Sequence, residues 1–113
     1  KHPVIPDLSG TWVFEQSFYW VKTVNLQFVK SGDGWVEYEY SEGSSSLTCT
    51  VYADQKIKIN VYISAGYDSR ANFEGVANST FTSFSGNSFD CSQEKPLGLD
   101  VRTVEEPWVF CRP

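Results

Sequence analysis

Apolar and polar residues alternate along almost the whole chain, and this period of two leaves little for it to fold into except antiparallel β-sheet. Val24, Leu26 and Phe28 alternate with Asn25 and Gln27, and Val36, Tyr38 and Tyr40 alternate with Glu37 and Glu39. Leu47, Cys49 and Val51 repeat the pattern, and Ile57, Ile59, Val61 and Ile63 repeat it against Lys56, Lys58 and Asn60. Successive side chains of a strand point to opposite faces, so each run offers one face to a core and the other to water. Further strands are predicted over 10–16, 71–75, 81–86 and 99–104, with Pro107 setting off Trp108-Val109-Phe110-Cys111 as an edge strand or a pinned segment.

The breaks between these runs are short. Ser31-Gly32-Asp33-Gly34 and Ala53-Asp54-Gln55 read as tight turns, 41–46 as a polar loop, and Gly75 and Gly86 as the ends of hairpin strands. A parallel connection needs about a dozen residues or more, so the sheet is antiparallel. About eight hairpin-linked strands protect their edges either by closing into an up-and-down barrel or by folding into a β-sandwich. The even run of turns favours the all-β antiparallel up-and-down barrel over a Greek-key sandwich, which needs longer cross-connections. With 113 residues, the expectation is a single β-barrel domain over 1–113, with residues 1–7 as an N-terminal arm.

Composition narrows the function classes. A net charge of −5 argues against nucleic acid as a partner, since that needs a basic face, and no apolar run is long enough for a membrane span. Of the three cysteines, Cys91 and Cys111 flank the loop-rich last quarter of the chain, where a disulfide would contribute about 3 kcal/mol. Cys49 alternates with apolar neighbours and reads as a small buried hydrophobe. His2 is the only histidine and no Cys-x-x-Cys spacing is present, so neither a metal site nor a cofactor is expected. The acidic balance, the Asn78-Ser79-Thr80 sequon and the expected disulfide lean toward a secreted or periplasmic protein.

The segment Asp7-Leu8-Ser9-Gly10-Thr11-Trp12 resembles the first strand of calycin-type barrels: lipocalins, avidins and the small bacterial metalloprotease inhibitors. The resemblance centres on Gly10-Thr11-Trp12 and implies an indole that plugs one end of the barrel. Phe73-Glu74-Gly75 and Phe84-Ser85-Gly86 also look like strand ends of avidin-like meanders. Val13-Phe14-Glu15-Gln16-Ser17 follows Trp12 without the Asn and Ser that avidins bring to biotin, and the chain is shorter than typical lipocalins. In the protease inhibitors an extended N-terminal segment enters the enzyme's cleft, a role that Lys1 to Pro6 could fill.

With 8 Phe, 6 Tyr and 4 Trp, the chain has rings enough to build a core and still line a surface. Phe18-Tyr19-Trp20 is the most unusual stretch, because three consecutive rings cannot share one face of a strand. These three, placed at the first connection with the loops near Gly43 and Gly66, are expected to form a barrel mouth. Tyr38, Tyr40 and Tyr52, with Phe73 and Phe81, are expected in the interior or at its rim. Phe18, Tyr19, Trp20, Tyr38, Tyr40 and Tyr52 are therefore the candidate ligand-binding residues. Glu37, Glu39 and Glu42 form the densest acidic run, which on a solvent face solubilises the sheet. No Gly-x-Ser-x-Gly motif is present, and no second histidine could activate a nucleophile, so no catalytic residue is assigned.

The expectation is an exported, non-enzymatic binding protein whose partner is a small apolar or aromatic ligand at the barrel mouth. A protein partner, met as a secreted inhibitor or an assembly subunit, is the alternative class. A cofactor-free barrel cyclase or isomerase and a carbohydrate-binding sandwich remain behind these.

Overall fold

The structure, a computed structural model, describes residues 5–16, 20–64, 68–86 and 108–112. Eight strands follow in order: β1 (Gly10–Gln16), β2 (Trp20–Gly32), β3 (Trp35–Glu42), β4 (Ser45–Tyr52), β5 (Lys56–Ser64), β6 (Asp68–Ala77), β7 (Ser83–Gly86) and β8 (Trp108–Cys111). Each pairs antiparallel with its neighbour in sequence, and β8 also pairs with β1, so the sheet closes into an up-and-down barrel. Closure settles barrel against sandwich.

The registers explain where the strands differ from the sequence reading. Trp108–Cys111 is not an edge strand: Phe110 lies opposite Phe14 on one side and Phe84 on the other. The segment 99–104, expected to close the sheet, lies outside the described residues. Trp20 belongs to β2, opposite Gln16, rather than to the connection before it. Gly75 is not a strand end either, since Val76 and Ala77 continue β6 by pairing with Ser85 and Phe84. The polar loop shrinks to Gly43-Ser44, because small hydroxyl residues at 45 and 46 pair with Glu42 and Ser41. Phe81 leaves the expected strand and takes a φ of 56° in the turn between β6 and β7. There Asn78 Oδ1 accepts the Thr82 and Ser83 backbone N–H groups, at 2.9 and 3.3 Å, and Phe81 is turned into the core.

The interior fills in two styles. On β1, β6, β7 and β8 it is built from rings: Trp12 stacks on Phe110 at 5.1 Å, Phe14 meets Phe73 edge-on at 5.1 Å, and Trp108 touches both Phe14 and Phe73. Space for Trp108 comes from Gly75 and Gly86, where a Cβ would collide with its indole. On β2 to β5 the same layer is mainly aliphatic: Val24, Leu26, Val36, Leu47, Val51, Ile57, Ile59 and Val61 are buried, with Cys49 and the Tyr38 ring among them. An eight-stranded barrel is just wide enough for side chains to fill it.

Candidate functional site

The strand ends fall at two rims. One gathers Gly10, Gly32 and Trp35, Tyr52 and Lys56, Ala77 and Ser83, and Cys111; the other gathers Gln16 and Trp20, Glu42 and Ser45, Ser64 and Asp68, and Gly86 and Trp108. At the first rim the chain enters β1 through Leu8, Ser9 and Gly10. Gly10 sits at φ 115°, a backbone region that side chains disfavour, and this lets the entering segment turn into the strand. Leu8 is buried: its N–H donates to the Tyr38 phenol oxygen at 3.0 Å, and its carbonyl accepts from the Trp12 indole N–H at 2.8 Å. Arg112 lies over the Trp12 ring at 4.8 Å and donates to the carbonyls of Asp7 and Ser9, at 3.2 Å each. The indole, the phenol and the guanidinium together seal this end of the barrel and hold residues 7–9 across it.

Beside that seal lies an open groove of about 540 Å³. It is lined by Ile5, Pro6 and Asp7 of the entering segment and by Phe28, Trp35 and Tyr38 of β2 and β3. Two local features shape the ring-bearing side. Between Phe28 and Lys30 the β2–β3 register slips, and the resulting bulge at Val29 bends the end of β2. The Trp35 indole lies flat over Gly32, where any Cβ would collide with it. Phe28 remains 58% exposed although it touches Tyr38 edge-on at 6.3 Å, so an apolar face is left facing the groove and solvent.

Two groups at this rim are electrostatically tuned. The side-chain and backbone hydrogen bonds from Ser9 hold the Asp7 carboxyl below its usual range. Burial pushes the Tyr38 phenol above its usual range, and the Leu8 N–H partly offsets this. The phenol therefore stays neutral through physiological pH. Its contribution to stability is complete below about pH 10 and is lost as pH rises through the folded-state value.

The expected ligand-binding residues divide among separate places. Phe18 and Tyr19 lie outside the described residues, as does the side chain of Trp20. Tyr38 is interior, with its hydroxyl at the sealed rim. Tyr40 packs against the core nearer the opposite rim and donates to Glu42 Oε2. Tyr52 falls on the outer face by register, half-buried and opposite Trp35. Of the two phenylalanines grouped with them, Phe73 joins the ring cluster and Phe81 is buried in its turn. Cys91 lies outside the described residues. Cys111 ends β8, and Cys49 is fully buried, its thiol pushed far up by desolvation and so unreactive.

Elsewhere on the barrel, Thr48, Asn60 and Asn72 stand in register across the outer face of β4, β5 and β6 and line a second, smaller hollow of about 250 Å³. Among the described residues no group of three His, Cys, Asp or Glu side chains could hold a metal ion, and no helix is long and apolar enough to cross a membrane.

No family model matches the chain, and no curated protein or solved structure resembles it at a significant level. The closed eight-stranded antiparallel barrel is compatible with a calycin-like architecture.

The sequence reading did not group Ile5, Asp7, Phe28 and Trp35, which line the groove, and it assigned no place to Arg112. Trp35 did carry a signal, because it sits on the polar side of an alternation whose other members there are Glu37 and Glu39. A tryptophan on the wet face of a strand is an exposed ring unless something covers it.

Proposed function

We propose that this protein is a non-enzymatic binding protein for a small, largely apolar or aromatic ligand, taken in the groove at the sealed rim. The observation that carries this reading is the convergence of Phe28, Trp35 and Tyr38 on one hollow of about 540 Å³, with Phe28 exposed. Ligand sites are concave and mainly apolar, with a few placed polar groups, and about 300–1,000 Å³ is their usual volume. The groove has that character, with ring faces for stacking and the Asp7 carboxylate at its edge.

The calycin-type assignment belongs to the same proposal. It is supported by Gly10-Thr11-Trp12 opening β1 and by the Trp12 indole at one end of a closed barrel. An exported, oxidised setting with a Cys91–Cys111 disulfide is supported by Cys49 being the one free thiol among the described residues. A protein partner gripping the same rim is the second reading, favoured by Phe28 and Val29 both being exposed at the bulge.

Titration with an environment-sensitive apolar dye tests the site. Phe28→Ala and Trp35→Ala are expected to weaken dye binding while Trp20→Ala leaves it unchanged. Loss of binding only in the Trp20 variant would move the site to the opposite rim and overturn the proposal. Light scattering separates the second reading, which requires a mass that rises with concentration or a bound partner lost on Phe28→Ala.

A further inference from the structure

From the placement of one carboxylate, and resting on the groove proposed above, we infer that the preferred ligand joins an aromatic ring to a protonated amine. Asp7 is the only carboxylate among the described lining residues, and it lines the same groove as Phe28 and Trp35. Its orientation is fixed, since Oδ1 accepts both the backbone N–H of Ser9, at 3.0 Å, and the Ser9 hydroxyl. Oδ2 has no hydrogen-bond or ion-pair partner among the described residues. The nearby cation does not neutralise it by direct contact, because Arg112 is committed to the carbonyls of Asp7 and Ser9 and to the Trp12 ring. A fixed carboxylate beside ring faces suits a flat cationic ligand: the ring stacks on Trp35 or Phe28, and the ammonium meets both the carboxylate and the negative faces of the rings.

The hydrogen bonds from Ser9 keep Asp7 ionised below the ordinary carboxylate range. The preference for a cation therefore persists as pH is lowered from 7 to 5, and it fades only when pH falls through the depressed value.

Calorimetric titration with tryptamine and with neutral 3-methylindole, on the wild-type chain and on Asp7→Asn and Phe28→Ala, tests this. Asparagine keeps a side-chain oxygen for the Ser9 N–H and removes only the charge. Wild type is expected to bind tryptamine about tenfold tighter than 3-methylindole, the sum of one ammonium–ring contact and one exposed ion pair. Asp7→Asn is expected to shrink that preference to the roughly two- to fivefold left by the ammonium–ring contact, with 3-methylindole unchanged, and Phe28→Ala to weaken both. Equal affinities in wild type, or a preference undiminished by Asp7→Asn, would overturn the inference and leave the groove intact. Failure of both compounds to bind wild type would overturn the groove reading, and this inference with it.

Discussion

The two walls of the barrel use aromatic residues in opposite ways. Strands β1, β6, β7 and β8 turn their rings inward, where Trp12, Phe14, Phe73, Phe84, Trp108 and Phe110 form one continuous cluster. Strands β2 to β5 fill the same depth mainly with Val, Leu, Ile and Cys together with the buried Tyr38 ring, and they carry Phe28 and Trp35 at the sealed rim. Rings on the first wall lock the fold; on the second wall Tyr38 is buried as well, while Phe28 stays mostly in solvent. The difference follows from volume. Two opposed ring-bearing walls would overfill an eight-stranded barrel, so the ring wall itself needs glycines and the wall facing it needs short aliphatic side chains.

If that division is right, the largest cost falls on the ring wall. Trp108→Ala removes an indole that is 2% exposed and wedged against Phe14 and Phe73, and it is expected to cost about 3–5 kcal/mol in urea unfolding. Gly75→Ala pushes a methyl group into the Ser85 carbonyl and the Trp108 indole, an overpacking expected to cost about 1–3 kcal/mol by the same measurement. On the aliphatic wall, Ile59→Val trims one methylene from a fully buried side chain, with an expected cost of about 0.5–1.5 kcal/mol. Phe28→Ala should change stability by no more than about 0.5 kcal/mol, because its ring is mostly in solvent. A cost for Phe28→Ala approaching that of Trp108→Ala would break the comparison, since it would make the rim rings structural.

How much of this could be read from the sequence depended on distance along the chain. The aliphatic wall was legible because its pattern is local: Ile57, Ile59 and Val61 announce one buried face within a single run. The barrel followed from counting such runs and the short turns between them. The ring wall was not legible, because Gly75 matters only through Trp108, far along the chain, and the alternation around Gly75 does not reveal that partner. For the same reason Trp108–Cys111 looked like an edge strand: its two neighbours, β1 and β7, are distant in sequence or separated from it by a long connection. The candidate site was legible only in its chemistry. Sequence reading identified surplus aromatics and a tyrosine near a rim, yet it had no means of weighing Phe28, which is exposed next to a one-residue bulge at Val29. Arg112 sealing Trp12 joins the two ends of the described chain, and no local pattern encodes such a contact.

The central claim is that the rings at the sealed rim form the binding surface, and backbone and indole N–H chemical shifts during titration with 3-methylindole test it most directly. The account predicts saturable shifts of the Trp35 indole N–H and of the backbone at Gly32, Phe28 and Asp7, with the Trp108 indole unmoved. Shifts confined to Gln16, Trp20 and Glu42 at the other rim, with Trp35 silent, would contradict it.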